Sequence, residues 1–436
     1  MKDTQMVKKL VGLESEVNVL KIEEEKIEGR TCKMIHVINS KTRVRCPYCN
    51  KYTRSVHDVL KPIKIKYLKM AEYTTYLVVY KRRFNCNNCL KRFTENNYIN
   101  ETGKTLSNKL VQKILLDLRE YNLSLSYIAA INNVSDNTVR NILKEAMKDH
   151  QKRLRTLPSV ISFDEFKADT LDGKYAFIIN DLLYKKTLDI LPTRKKEDLI
   201  NYFTAVENRS SVQYVVSDMY EPYLLVTTIM FSKAKYVVDR FHYIRYIMDA
   251  LDNIRIRLQD KFGYKSKAYK KLKNKKNVSL LRKYGNEINW WVEVVRFRNG
   301  HNVRILPGEV ITDLLSIDED LKRGYELKEL FLDIINHSTV EEVEGQLLAW
   351  IELCKESKIE EFIEASKTIE NWLPYIVNSF IDERFSNGFT EGLNNKIKVI
   401  KRVGYGYKNF SFFRLRLLYI LQNKNVKNKK KVKIKK

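Results

Sequence analysis

The chain has 436 residues, 44% of them hydrophobic, which excludes a disordered chain and leaves room for about two to four domains. Its formal net charge of +27 exceeds what solubility needs and indicates a polyanionic partner: nucleic acid first, an anionic membrane surface second. No run of about eighteen apolar residues occurs and the N-terminal MKDTQMVKKL lacks the apolar core of a signal peptide, so we expect a cytoplasmic protein that does not bind membranes.

Four of the six cysteines form two CxxC pairs, a spacing typical of a zinc site in a reducing compartment. Thiolates at this spacing can close a tetrahedral site, with buried free thiols as the alternative. The expected ligands of one structural Zn²⁺ are Cys46, Cys49, Cys86 and Cys89. Cys32 and Cys354 have no partner at ligand spacing and are expected to pack in cores.

The spacer between the two pairs, the 36 residues from Asn50 to Asn85, is longer than the usual fifteen to twenty or so. Its segments KIKYLKM and YTTYLVVYKRRF alternate like strands and predict a long β-hairpin. Aromatic and basic residues surround the pairs, as expected of a zinc ribbon that binds nucleic acid. They are Tyr48, Tyr52, Arg82, Arg83, Phe84, Lys91, Arg92 and Phe93.

Between Leu106 and Ala146 the apolar period changes from two to about 3.6, which predicts helices. The pattern is typical of a helix-turn-helix, in which we expect Ser126 and Ser135 to cap the two helices and Val134 to lie in the turn. A three-helix packing module would give similar spacing. The residues expected to face the DNA major groove are Asn137, Thr138 and Arg140.

From Val160 the pattern becomes α/β. The segments VISFDEF, KYAFIINDLL and KTLDILPT are joined by short connections, so they predict three antiparallel strands. Helical segments separate the next two strands, VQYVVSD and AKYVVDRF, which implies parallel pairing. We therefore expect a mixed sheet with the strand order of a ribonuclease-H-like fold. A charged, all-helical segment then interrupts this domain; its expected core anchors are Trp290, Trp291, Trp350 and Trp372.

Two aspartates are expected at the carboxyl ends of neighbouring strands, where reactive groups of such sheets collect. Asp164 is expected to end the first strand and Asp218 the fourth, which lies beside the first in this strand order. A helix packed on the sheet edge could bring Glu391 as a third ligand. Three carboxylates that bind two Mg²⁺ (or Mn²⁺) ions about 4 Å apart suit phosphodiester chemistry.

Other acids compete with this assignment. Glu165 points to the opposite face of the sheet from Asp164, because side chains alternate along a strand. Asp181 and Asp189 are expected in surface turns. Asp239 is the strongest rival, as a metal ligand, as the structural partner of an arginine, or as a residue that helps to hold DNA. His242 is either a general base or a hydrogen-bonded residue at a helix start.

The helix of Glu391 is expected to begin after a break at Asn387 and Gly388. Its polar face also carries residues that we expect to contact DNA, a solvated amphipathic helix being the alternative. These residues are Asn394, Asn395 and Lys398, followed by Lys401 and Arg402, which would track phosphates. The segment from Leu421 to Lys436 has eight lysines and no acid, so we expect a disordered tail that attracts phosphate.

The resulting domain division has six parts. A zinc ribbon (1–100) precedes a helix-turn-helix with a basic linker (101–157), and the first part of the catalytic domain (158–251) precedes the helical insertion (252–375). The final catalytic helix (376–420) and the basic tail (421–436) end the chain.

The chain resembles the ISL3 family of bacterial insertion-sequence transposases over nearly its whole length. The resemblance rests on the CxxC pairs, the helix-turn-helix, SFDEF, Arg194, SDMYEPY, AKYVVDRFH and SNGFTEGLNNKIKVIKRVGYGYKNF. Ser232 departs from the proline that relatives often have before AKYVVDRFH, which concerns a turn. The resemblance implies a DDE transposase with a ribonuclease-H-like domain, an all-helical insertion and the triad Asp164, Asp218 and Glu391.

The resemblance also implies binding to terminal inverted repeats, nicking of DNA at the element's end, and attack of the liberated 3′-OH on target DNA. Because two DNA ends must be held together, a homodimer or larger assembly on DNA is expected, associated with the bacterial nucleoid. Two alternatives remain: a DNA-binding regulator without catalysis, and a stand-alone nuclease on the same fold. The regulator would have no need for acids at the ends of adjacent strands.

Overall fold

The computed structural model describes residues 8, 12–13, 17–96, 98–101, 103–151, 154–298, 301–385 and 388–422. The chain divides into two compact units. The first comprises residues 1–152, 397–407 and 411–436, and the second comprises residues 153–396 and 408–410. Among the helices in the described ranges, none combines the length and the apolar content that crossing a membrane requires.

The first unit contains three small sheets. A four-stranded sheet has the order β1-β2-β7-β6, in which β2 and β7 are parallel and the other pairs antiparallel; β3 pairs with β4, and β8 lies between β5 and β9. The strands are β1 (Val17–Ile27), β2 (Arg30–Asn39), β3 (Val44–Arg45), β4 (Tyr52–Thr53), β5 (Val56–Val59), β6 (Ile63–Lys66), β7 (Thr74–Tyr80), β8 (Arg82–Asn85) and β9 (Arg92–Thr94).

The spacer between the two cysteine pairs forms the antiparallel hairpin β6–β7, as the sequence predicts. The hairpin belongs to the four-stranded sheet and buries Ile65, Leu77 and Val79 against Ile35 and Val37 of that sheet. The spacer is long because it supplies β6 and β7, two of the four strands of this sheet.

Three helices follow, each capped by a serine whose hydroxyl accepts a backbone N–H. They are α1 (Asn108–Asp117), α2 (Leu125–Ile131) and α3 (Asp136–Ala146), with the caps Ser107, Ser124 and Ser135. The expected cap Ser135 is confirmed. The expected cap Ser126 is wrong, because Ser126 lies inside α2 and its hydroxyl donates to Asp136 at 2.7 Å.

The second unit is built on a mixed sheet of order β12-β11-β10-β13-β14. The pairs β10–β11 and β11–β12 are antiparallel, and β13 is parallel to both β10 and β14, as the sequence predicts. The strands are β10 (Val160–Thr170), β11 (Gly173–Asp181), β12 (Lys186–Leu191), β13 (Tyr214–Ser217) and β14 (Lys235–Val238). Phe163 is buried, and the centroids of four other aromatic rings lie within 6.3 Å of its ring centroid. The sheet therefore has a tightly packed aromatic core.

Helices α4 (Lys196–Thr204) and α5 (Glu221–Met230) connect these strands, and a largely helical segment follows β14. Its helices are α6 (Arg240–Phe262), α7 (Lys267–Lys273), α8 (Lys275–Arg282), α9 (Pro307–Leu315), α10 (Glu319–His337), α11 (Val343–Glu356) and α12 (Glu360–Val377). The expectation of an all-helical segment is wrong, because it contains the antiparallel hairpin of β15 (Val294–Arg298) and β16 (His301–Ile305).

The four tryptophans of this segment have different environments. Trp350 is fully buried and its Nε1 donates to the carbonyl oxygen of Leu327 at 2.8 Å. Trp290 and Trp372 are half-buried and pack against the core. Trp291 is 81% exposed, so its expected role as an anchor is wrong.

Two helices end the described chain, α13 (Gly388–Val403) and α14 (Phe410–Gln422). Residues of α14 from Ser411 onward group with the first unit, although the sequence analysis placed this helix in the catalytic domain. The buried Arg416 donates to the carbonyl oxygens of Leu118, Glu120 and Leu123, which follow α1. Of the expected tail 421–436, Leu421 and Gln422 belong to α14, so the expectation of disorder is wrong for these two residues. Residues 423–436 lie outside the described residues, as does Asn387.

Gly324 provides a test of packing in the helical segment. A Cβ at this position of α10 would lie 2.5 Å from Cδ1 of Ile254 and 3.2 Å from Cε2 of Phe362, and both neighbours are fully buried. We expect Gly324→Leu to lower the free energy of unfolding by about 1–3 kcal/mol through overpacking. Gly345 of α11 has no atom within 4 Å of an added Cβ, so Gly345→Leu should have little effect or stabilise the helix slightly. Thermal unfolding of both variants checks this, and equal effects would contradict it.

Candidate functional site

The four paired cysteines come together in the first unit. The potential ligand atoms of Cys46, Cys49, Cys86 and Cys89 all lie within 4.8 Å of one another. The Sγ atoms of Cys46 and Cys89 are 3.7 Å apart, and those of Cys49 and Cys86 are 3.4 Å apart. A tetrahedral Zn²⁺ with Zn–S bonds of about 2.3 Å requires sulfur–sulfur distances of about 3.8 Å. The arrangement therefore fits one Zn²⁺ bound by four thiolates.

Backbone hydrogen bonds in the two CxxC turns bring the four sulfur atoms together. Each CxxC turn closes with a hydrogen bond from the fifth residue's N–H to the first cysteine's carbonyl oxygen: Asn50 to Cys46 at 3.0 Å, and Leu90 to Cys86 at 2.9 Å. Phe84 and Phe93 pack beneath the sulfur atoms. The two unpaired cysteines, Cys32 and Cys354, are buried elsewhere in apolar surroundings, as expected.

In the second unit, strand register aligns Asp164 with Asp218. The parallel ladder pairs Val160 with Tyr214 and ends at Ser162 with Val216. Asp164 lies two residues after Ser162, and Asp218 lies two residues after Val216. Both aspartates are therefore at equivalent positions on the same side of the sheet. Asp218 directly follows β13, as expected. Asp164 does not end its strand, because β10 continues to Thr170 in its pairing with β11.

Asp164 is mostly buried and has two hydrogen-bond donors. The backbone N–H of Glu165 donates to its Oδ1 at 2.7 Å, and the amide of Asn394 donates to its Oδ2 at 2.9 Å. The pKa of Asp164 is raised to about 7 as the net effect of burial, which is the largest cause, the two hydrogen-bond donors, which lower it, and the charges of Asp218 and Glu165, which raise it. The Oδ1 of Asn394 is buried with no hydrogen-bond partner among the described residues.

Asp218 has a similar environment with more positive charge around it. Burial raises its pKa, and the charges of His242 and Arg194 and a hydrogen bond from Ser217, at 3.2 Å, oppose this. Two mostly buried carboxylates close together repel each other unless protons or cations compensate. Asp164, Asp218 and the oxygen of Asn394 are the groups here that could hold a divalent cation, since Mg²⁺ and Mn²⁺ prefer oxygen ligands.

Glu165 belongs to a separate network. Its carboxylate forms an ion pair with Arg194 and accepts a hydrogen bond from the Tyr223 hydroxyl at 2.8 Å. The Arg194 guanidinium lies 4.5 Å from the ring centroid of Tyr175 and 5.3 Å from that of Tyr220. Sequence reasoning gave Arg194 and Tyr223 no role, because no local spacing links them to Glu165.

The remaining acids have structural partners. The expectation that Asp181 and Asp189 lie in surface turns is wrong, since both are buried. Asp189 accepts a hydrogen bond from the Tyr202 hydroxyl at 2.6 Å, and Asp181 accepts the Tyr184 N–H at 3.0 Å. Asp239 caps α6, with the Phe241 N–H at 3.3 Å, and His242 Nε2 lies 3.7 Å from its carboxylate.

The third expected ligand, Glu391, lies in the first turn of α13, and its side chain is outside the described residues. Asn394, one turn later, contacts Asp164. On the same helix Asn395, Lys398 and Arg402 are exposed and Lys401 is half-buried.

The residues expected to contact DNA from the helix-turn-helix have varied surroundings. Asn137 is exposed, and the hydroxyl of the half-buried Thr138 lies 2.9 Å from that of Ser135. The Arg140 guanidinium lies 4.6 Å from the ring centroid of Phe412 in α14. In the structure, α3 thus offers one freely exposed polar side chain among these three positions.

Comparisons with known proteins identify related sequences. The ISL3-type DDE family model described as "Transposase" matches residues 161–417, and a model described as the zinc-finger of transposases IS204/IS1001/IS1096/IS1165 matches residues 42–89. The transposase for insertion sequence element IS1001 of Bordetella parapertussis is 21% identical over 421 residues, covering 96% of this chain and 98% of the relative. An ATP-dependent protease of Lactococcus lactis subsp. lactis is 33% identical over 110 residues, 25% of this chain and 34% of that protein.

The four-sulfur cluster predicts about one Zn²⁺ per chain. Cys46→Ser should lose this metal and lower the stability of the ribbon, because its fold depends on the closed tetrahedral site. Cys32→Ser replaces an equally buried cysteine outside the cluster and should keep the zinc. Metal analysis of purified protein measures both, and a zinc-free wild-type chain would contradict the assignment.

The raised pKa of Asp164 predicts a pH-dependent stability in protein freed of divalent cations. An aspartate in an unfolded chain has a pKa of about 3.9, whereas folded Asp164 has a pKa of about 7. Folding therefore favours the protonated form, and stability falls as pH rises between these values. Asp164→Asn should raise the unfolding temperature by several degrees above about pH 7, and hardly at all below about pH 4. Asp169→Asn, an exposed acid of the same strand, should show no such pH-dependent gain.

Proposed function

Because the chain belongs to the ISL3 family of transposases, as its resemblance predicted, we propose that it binds the terminal inverted repeats of an insertion sequence and cleaves and transfers DNA strands. The observation that carries this proposal is the alignment of Asp164 with Asp218 by the β10–β13 register, which brings two buried carboxylates together. A regulator that only binds DNA would not need this costly arrangement.

The catalytic domain is proposed to be ribonuclease-H-like. Its support is the sheet order β12-β11-β10-β13-β14, with three antiparallel strands extended by two parallel ones. In this proposal residues 158–251 and 376–420 form the catalytic domain, although residues 397–407 and 411–420 group with the first unit. Residues 252–375 form an insertion that separates the third acid from the first two. Residues 1–100 and 101–157 are the zinc-ribbon and helix-turn-helix domains, and residues 421–436 are a basic tail.

The proposed active site consists of Asp164, Asp218 and Glu391. Their carboxylates would hold Mg²⁺ or Mn²⁺, which when bound activates the attacking oxygen and stabilises the leaving one. Asn394 orients Asp164 through its amide N–H, and its unpartnered Oδ1 offers a further neutral oxygen. The helix α13 places Asn394 one turn after Glu391, so the same helix can supply both groups.

Arg194 has a positioning role in this proposal. Glu165 and two tyrosine rings hold its guanidinium, and its charge lowers the pKa of Asp218. A fixed cation beside the paired aspartates favours their ionised forms, which are the forms that bind a metal ion.

The proposed reaction has two chemically similar steps. In the first, a water oxygen attacks the phosphorus at the element's end, the bond from phosphorus to the 3′ oxygen breaks, and the strand leaves with a free 3′-OH. In the second, this hydroxyl attacks a phosphorus of target DNA and displaces another 3′ oxygen. In each step one P–O bond forms and one P–O bond to a 3′ oxygen breaks at the same phosphorus, and the leaving 3′ oxygen takes up a proton as the attacking oxygen loses one. Neither ATP nor a covalent enzyme intermediate is therefore needed.

Double-stranded DNA is the proposed partner, both as terminal repeats and as target. The positive charge of the chain, the zinc ribbon and the exposed Asn395, Lys398 and Arg402 support this, together with Lys401 and the α3 residues Asn137, Thr138 and Arg140. Two ends must be joined, so we propose a homodimer or larger assembly on DNA, acting at the nucleoid in the cytoplasm.

Glu391→Gln tests the proposed chemistry. The variant should bind end DNA as the wild type does but lose metal-dependent strand cleavage by about a hundredfold or more, since removing one charge-stabilising group costs about 10²–10³ in rate. Glu383→Gln changes an exposed acid eight positions earlier and should cleave normally. Cleavage assays on labelled duplexes carrying the flanking inverted repeats measure both. Undiminished cleavage by Glu391→Gln would remove this residue from the site, and cleavage without strand transfer by the wild type would favour the stand-alone nuclease.

A further inference from the structure

A basic groove lies beside the zinc cluster in the first unit. It has a volume of about 510 Å³ and runs between the end of β2, the first cysteine knuckle and the segment that follows β9. The charged and aromatic residues of its lining are Lys41, Arg43, Arg45, Tyr52, Phe93, Glu95 and Tyr98. None of the transposase chemistry described above uses this groove.

The single acid of this lining does not neutralise the groove. Glu95 is 6% exposed and its carboxylate accepts three hydrogen bonds from Arg82: the backbone N–H at 2.8 Å, Nε at 3.0 Å and Nη2 at 2.8 Å. The Glu95 charge is therefore cancelled locally by a buried guanidinium. The lining also carries the exposed Arg43 and Arg45, of which Arg45 donates its Nε–H to the Asn50 carbonyl oxygen at 3.2 Å, so the groove is basic.

Arg82 also fixes the wall of the groove. Its Nη2 donates to the carbonyl oxygens of Asn39 at 3.1 Å and Lys41 at 2.7 Å. These bonds hold the turn after β2 against the ribbon. The shape of the groove is thus preorganised, which lowers the entropy cost of binding a ligand there.

The two tyrosines lie next to the cations. The Arg43 guanidinium is 4.5 Å from the ring centroid of Tyr52, and the Lys41 ammonium is 5.7 Å from that of Tyr98. Tyr52 is 54% exposed and Tyr98 is 53% exposed. Cations that bind phosphates, beside half-exposed aromatic rings on which bases or sugars stack, are the combination that binds nucleic-acid strands.

We propose that this groove is a nucleic-acid binding site, in which Arg43, Arg45 and Lys41 contact backbone phosphates and Tyr52 and Tyr98 contact bases or sugars. The site rests on the proposed function as a DNA transposase and adds to it a contact surface separate from the helix-turn-helix and the acidic site. It also reassigns the ribbon's cations: Arg82 and Arg83 pair with Glu95 and Asp58, so they are structural.

The test compares two exposed cation–tyrosine pairs in the full-length protein. The groove pair is removed by Arg43→Gln with Tyr52→Ala. The matched pair outside the groove lining, Lys265 at 5.7 Å from the Tyr264 ring centroid, is removed by Lys265→Gln with Tyr264→Ala. Fluorescence anisotropy measures binding to a labelled single strand and a labelled duplex, each of about 16 nucleotides per strand, over a range of salt concentrations.

The groove variant should lose about tenfold in affinity, and the slope of log K against log salt should become shallower by about 0.7 for the single strand or about 0.9 for the duplex. The probe with the larger loss identifies the strand state that the groove binds. Zinc content confirms that the ribbon is folded; if the double variant loses zinc, Arg43→Gln alone gives the slope change without altering the β3–β4 pairing.

Unchanged affinity and slope in the zinc-loaded groove variant would overturn the groove site. An equal loss in the Lys265 and Tyr264 variant would also overturn it, because the effect would then reflect the overall charge and aromatic content of the chain. Either result leaves the transposase proposal intact as long as the wild type binds the duplex. A wild-type chain that binds neither probe nor end DNA would count against the proposed function itself.

Discussion

The central constraint on the second unit is the burial of two like charges where the parallel pairing of β10 and β13 ends. The β10–β13 register puts Asp164 and Asp218 at equivalent positions, and burial raises the pKa of both. Such a pair destabilises a folded chain at neutral pH unless protons or cations compensate. Neighbouring residues reduce the cost of this burial. Asn394 donates a hydrogen bond to Asp164, Ser217 donates one to Asp218, and the charges of Arg194 and His242 lower the pKa of Asp218.

The position of Arg194 shows how the fold limits that compensation. Its guanidinium forms an ion pair with Glu165, and the Tyr223 hydroxyl binds the other carboxylate oxygen. Arg194 therefore neutralises a neighbouring acid directly and acts on Asp218 through its charge alone. The hydrogen bonds to Asp164 and Asp218 leave each carboxylate further lone pairs that can bind a divalent cation.

Much of this arrangement could be predicted from the sequence because it follows from local patterns. Strand periodicity and connection length gave the order and direction of β10 to β14, and CxxC spacing gave the four-sulfur cluster. The errors concern contacts made over long separations. Asp189 was expected in a surface turn because the sequence does not show that the Tyr202 hydroxyl binds it in the interior. The helix cap is Ser124, two positions before the expected Ser126, because either serine fits the sequence pattern of a helix start. No sequence spacing links Glu165 with Tyr223.

The same distinction applies to the cations. The net charge of +27 indicates a polyanionic partner but does not say which side chains meet it. Arg82 neutralises Glu95, Arg194 neutralises Glu165, and Arg416 binds backbone carbonyl oxygens in the interior, so these guanidinium groups hold the fold together. In the proposed function, exposed cations such as Arg43 and Lys398 bind phosphate. An arginine paired with a buried acid or carbonyl is structural, and the proposed DNA surface consists of the exposed cations.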